Sequence, residues 1–147
     1  MTDKTEIPAP PEGFVQSKTR GPFSTHNGPY FHRVDEDSEV VQHAFFALQR
    51  HANGVGIVHG GMLTSFMDGL LGSAVFRTTR KTGVTIHLSV DFLHMARVGE
   101  WVVGEARVNR ATRDIVFVEG VGRVAGRDVI RATGVFKLMH KGVSKAD

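Results

Sequence analysis

The sequence predicts an α+β domain: an antiparallel sheet curled around one long central helix, with one strand before the helix and four after it. Three observations carry this. The stretch from Gly60 to about Arg77 places Leu63, Phe66, Met67, Leu70 and Ala74 at helical spacing. The four stretches after it alternate with a period of two. The loops between those four are short, which favours an antiparallel meander.

The elements follow in order. The chain has 147 residues and 41% hydrophobic content, which fits one domain with one core. Such a domain buries roughly two-thirds of the surface its unfolded chain exposes, so it needs no staple. Residues 1–12 hold Pro8, Pro10 and Pro11 and few apolar side chains, and are expected to be a disordered lead-in. The folded domain is placed at 13–141 and a tail at 142–147. Within it, residues 13–38 are rich in Gly, Pro, His and Asp and read as mostly loop, with room for one helical turn. Val40 to Arg50, with Phe45, Phe46 and Leu48, reads as the first strand, a helical reading staying open. His51 to Gly56 is a loop. The helix comes next and, at 1.5 Å per residue, is about 27 Å long. Val84–Phe92, Trp101–Val108, Ile115–Ala125 and Val129–His140 are the later strands. The helix is apolar almost all round, so it should be wrapped rather than covered on one side.

Composition removes several function classes. There is no cysteine, hence no disulfide framework and no thiolate nucleophile. No apolar leader opens the chain, and Gly60–Phe76 is interrupted by Asp68 and short for a membrane span. A soluble, cytoplasmic protein is expected. Residues 1–75 carry 5 Lys/Arg against 8 Asp/Glu, and residues 76–147 carry 13 against 7. The basic second half suits an anionic ligand or simply a solvated sheet surface. One Trp and one Tyr speak against a nucleic-acid surface. No HExxH pair points to zinc and no GxSxG to a serine nucleophile, so no metal or cofactor is expected.

A helical wheel divides the helix. The large residues named above share one side. Gly61, Ser65, Asp68 and Gly72 share the other, where small side chains let a second backbone approach. Asp68 fits an exposed helix position. It also fits a general base, since its neighbours are apolar and no Lys or Arg lies within a turn. The loop Asn53–Gly61 feeds the helix with Gly54, Gly56, Gly60 and Gly61. Its amides and the positive end of the helix can hold a carbonyl oxygen that becomes an oxyanion. His59 is open to a structural, proton-carrying or ligand role. Asp68 is about 13 Å from His59 along the helix, so one helix cannot bring both ends to one carbonyl. Two chains packed on the small-residue face can.

The run Asn53-x5-His59-Gly60-Gly61-x6-Asp68, continued by Thr82-Gly83-Val84-Thr85-Ile86, resembles the PaaI-like (phenylacetate-pathway) group of hotdog-fold acyl-CoA thioesterases, in the 4-hydroxybenzoyl-CoA thioesterase superfamily. The resemblance covers roughly two-thirds of the chain. It implies a hotdog fold, a five- or six-stranded antiparallel sheet around the helix. It implies a dimer with active sites between subunits, paired further into a dimer of dimers. It implies Asp68 as base or nucleophile, Gly60 and Gly61 at the oxyanion, and Asn53 holding the carbonyl. His59 shapes that loop, and Thr85 orients the water. Arg113, in the basic loop between later strands, is assigned to coenzyme A. The expected reaction is hydrolysis of an acyl- or aryl-acyl-CoA. A hotdog hydratase or dehydratase, or a non-catalytic acyl-CoA-binding module, stands beside it.

Overall fold

The apolar stretch does fold as a helix inside a curled sheet in the computed structural model, which describes residues 6–18, 21–33 and 35–140. The helix, α2, spans Gly60–Thr79, two residues past the expected end. Arg80 stops it in the left-handed conformation (φ 59°). Met62, Leu63, Phe66, Met67, Leu70, Leu71, Ala74 and Val75 are its buried residues. They meet Val102, Ala106, Val116, Val118, Ile130 and Phe136 from the sheet in one core.

Among the described residues seven strands form one sheet, in the order β1-β2-β3-β5-β6-β7-β4. They are β1 (Phe14–Gln16), β2 (Tyr30–Arg33), β3 (Val41–Phe46), β4 (Gly83–Phe92), β5 (Trp101–Ala111), β6 (Ile115–Val124) and β7 (Arg127–Leu138). A short helix, α1, covers Pro22–Asn27. Two expectations need correction. The segment 13–38 is not mostly loop. The expected helical turn is α1, but the segment also supplies two extra strands, because strands of three and four residues are held by pairing, β2 to β3 and β1 to β2, not by any pattern of their own. The four later strands are not one meander either. β5, β6 and β7 pair in succession, but β4 pairs with β7 and β5 with β3. The segment 93–100 therefore carries the chain from the sheet edge back to its middle. It is pinned on the way by the Val58 N–H donating to Ala96 O (2.8 Å) and a bridge between Ile57 and Arg97.

The expected strand Val40–Arg50 is β3 followed by a 3-10 turn at Gln49–His51. A smaller cluster of Phe14, Phe31 and Ala44, joined by Ile7, Trp101 and Val103, packs on the sheet face away from the helix. β4 is an edge strand, and Val84, Ile86 and Phe92 on it are 49%, 56% and 54% exposed. No helix among the described residues is long and apolar enough to cross a membrane.

Candidate active site

The loop before α2 is built by its own polar groups. Asn53 Oδ1 accepts the N–H of Val55 (3.1 Å) and of Ile57 (3.3 Å), and the Asn53 N–H donates to Ile57 O (2.8 Å). That uses the carbonyl end of the side chain and leaves the Nδ2 amide as the end able to donate outward. His59 caps the helix: its Nδ1 accepts the Gly61 N–H at 2.7 Å. Nδ1 is thus unprotonated and the ring proton sits on Nε2. Among the described residues no acceptor meets the Gly60 N–H. Of the two glycine amides placed at the oxyanion by the resemblance, the Gly61 N–H is thus occupied by His59 and the Gly60 N–H is not.

A histidine not singled out in the sequence fixes this loop from behind. His51 is buried, its Nδ1 accepts the Leu48 N–H (3.0 Å), and its Nε2–H donates to Asn27 O (2.8 Å). Its own carbonyl takes the His59 N–H at 2.8 Å. One residue therefore ties α1, the 3-10 turn and the start of α2 together. Arg50 beside it donates to Gly28 O. Tyr30 stacks on Phe66 of α2 at 6.4 Å, and burial pushes its phenol up, the Arg50 charge drawing it partly back.

Further along α2, Asp68 is half-buried and accepts a hydrogen bond from Thr85 Oγ1 on β4 at 2.7 Å. The structure brings these two site candidates together. It keeps them apart from Gly60, eight residues or about 12 Å back along the same helix. Gly61 and Gly69 are exposed on the helix face that carries Asp68, with Ser65 half-buried.

Arg113 sits exposed in the turn between β5 and β6. Ile115 pairs with Lys137 and Lys137 with Val84, so this turn lies near the start of β4. Gly60 lies at the other end, under Phe92. The two are separated by eight strand residues, about 26 Å. Arg113 lies toward the end of β4 where Asp68 and Thr85 meet, not toward Gly60 of its own chain. Among the described residues no three His, Cys, Asp or Glu side chains group as metal ligands.

The profile of the thioesterase superfamily matches residues 55–130. A Pseudomonas aeruginosa protein named as an esterase is 34% identical over 130 residues, covering 87% of this chain and 96% of its own. Mouse acyl-coenzyme A thioesterase 13 is 27% identical over 97 residues, 60% of this chain and 69% of that one. Among solved structures, a thioesterase related to phenylacetic acid degradation from Ralstonia eutropha superposes with a TM-score of 0.72 at 27% identity, over 81% and 92% of the two chains. A Streptococcus pneumoniae thioesterase solved with coenzyme A gives a TM-score of 0.70 at 20% identity, over 78% and 91%, and so shares the fold.

Proposed function

The chain belongs to the thioesterase superfamily and is a thioester hydrolase; from that premise we propose that it cleaves an acyl- or aryl-acyl-CoA to the free acid and coenzyme A. The Asp68–Thr85 contact carries this reading. A carboxylate and a hydroxyl 2.7 Å apart, on a face open to ligand, form a holder for one water. Asp68 takes a proton from that water as its oxygen attacks the thioester carbon. The oxyanion is met by the Gly60 N–H at the positive end of α2 and by Asn53 Nδ2. The Gly61 N–H, held by His59, keeps the turn in shape. The intermediate collapses, the C–S bond breaks, and the leaving thiolate takes up the proton that Asp68 received from the water. Direct attack by Asp68, through an anhydride, uses the same groups.

The acyl-CoA class is supported by the mouse relative, named for that activity, and by the Streptococcus pneumoniae neighbour, solved with coenzyme A. That neighbour has also been solved with an aspartate and with a threonine changed to alanine. The 12 Å estimate for Gly60 to Asp68 supports a site shared by two chains, Asp68 and Thr85 from one and Gly60 and Asn53 from the other. The open edge of β4 is where a second copy would pair, and two such dimers would associate further. Arg113, on the Asp68 side, is assigned to the phosphates of coenzyme A.

The test is turnover of an acyl-CoA panel, read by release of free thiol. Asp68→Ala should lower kcat by about a hundredfold or more, and Thr85→Ala by about tenfold, with Thr85→Ser close to wild type. Robust turnover by Asp68→Ala would overturn the mechanism.

A further inference from the structure

Phe92 ends β4, and its ring stands over the first residue of α2. A Cβ built on Gly60 would lie 3.2 Å from Phe92 Cζ and 3.4 Å from Cε1. The ring is therefore a direct neighbour of the amide assigned above to the carbonyl oxygen. It is not alone. Phe92, Leu93 and Met95 are consecutive large apolar residues but for His94, and are 54%, 45% and 45% exposed. His94 Nδ1 is occupied by the Met95 N–H at 2.9 Å. The loop bearing this lip is fixed to the loop bearing the amide, through the Val58 N–H to Ala96 O bond (2.8 Å) and the Ile57–Arg97 bridge. Lip and amide thus share one frame.

A thioester carbon has two arms. One runs through sulfur into pantetheine, whose amides need hydrogen-bond partners. The other is the acyl group, which is apolar next to the carbonyl. A phenyl ring, an isobutyl group and a thioether offer no hydrogen bond worth the name, but much apolar and polarizable surface. They match the second arm.

Resting on the thioesterase reading, we propose that Phe92, with Leu93 and Met95, is the wall against which the first carbons of the acyl group pack, so that Phe92 sets a preference for bulky apolar acyl groups over acetyl. The ring touches substrate in this role and takes no part in proton transfer. Gly60 has no side chain because the ring occupies that space.

The test uses wild type, Phe92→Leu and Phe92→Ala with benzoyl-, octanoyl- and acetyl-CoA, reading kcat/KM, with the mass of each protein in solution. Wild type should favour the two bulky substrates. Phe92→Ala should lose about tenfold or more on both while acetyl-CoA changes by less than about threefold, with Phe92→Leu in between. An equal loss on all three substrates overturns the proposal, because the ring then serves structure. A fall in mass with uniform loss also overturns it, making the lip a subunit contact. An unchanged ratio in a Phe92→Leu protein of normal mass and activity overturns the assignment of Phe92 and leaves the thioesterase reading intact. If wild type hydrolyses none of the three, that reading fails and the proposal falls with it.

Discussion

Gly120 on β6 shows how little room the sheet leaves. A Cβ there would lie 2.9 Å from the backbone oxygen of Glu105, 3.1 Å from Leu71 Cδ2 and 3.2 Å from Ala106 Cβ. The first of these is a strand atom that cannot swing aside, so Gly120→Ala must part β5 from β6 or displace α2. It should cost about 1–3 kcal/mol in urea unfolding. Gly54→Ala, with nothing within 4 Å of the added carbon, should stay within about 0.5 kcal/mol. Equal effects at the two positions would show that crowding does not decide the cost. At this scale residues differ in how legible they are in the sequence. Asp68 is visible because a carboxylate among Phe66, Met67, Leu70 and Leu71 is costly to keep without purpose. Gly60-Gly61 is visible because glycine pairs weaken a helix start unless something needs the space. Phe92 is invisible, since its contact with Gly60 exists only once β4 has been placed beside the start of α2. His51 is invisible too, because its bond to Asn27 crosses 24 residues without any spacing rule.

At the scale of elements, the N-terminal extension of the sheet carries a titratable device. His43 on β3 pairs with His32 on β2, their rings 6.5 Å apart, and Ser17 Oγ lies 2.7 Å from His32 Nδ1. Burial pushes the His43 imidazole down to about 4, with the His32 charge adding to the effect. The unfolded chain holds this group near 6.5. Below 6.5 the unfolded state binds a proton that the folded state refuses, so stability falls as pH drops from 6.5 toward 4 and flattens below. Thermal unfolding of wild type and His43→Asn between pH 7 and 4 should therefore give curves that converge on the acid side, the variant losing less. Parallel curves would remove His43 from the account. That β1 and β2 are not legible in the sequence has the same origin as their dependence on a neighbour, β1 on β2 and β2 on β3. They are three and four residues long and show no period-two pattern, and their hydrogen bonds come from a neighbour. The order of the sheet escapes for a related reason. Short loops favour adjacent pairing, yet whether β4 lies beside β5 or beside β7 is settled by how the strands wrap α2.

For the whole molecule, the question is whether one chain suffices. The free edge of β4 is long, and it exposes Val84, Ile86 and Phe92 without a Pro to block pairing. It runs past Asp68 and Thr85 at one end and Gly60 at the other, so an antiparallel copy laid along it would bring the Gly60 of one chain toward the Asp68 of its partner. This arrangement makes a prediction that no single-chain site can meet. Asp68→Asn removes the proposed base, and Gly60→Val drives a side chain into Phe92 at the amide proposed to hold the oxyanion. Each variant alone should be inactive. After the two are unfolded together and refolded, about half of the dimers are mixed, and each mixed dimer has one site with both groups intact and one with neither. Turnover should return to about a quarter of the wild-type value. If base and amide instead came from the same chain, every site in every mixed dimer would carry one lesion and no activity would return. Recovery in the mixture, with none in either parent, is the outcome that two half-sites on one helix require.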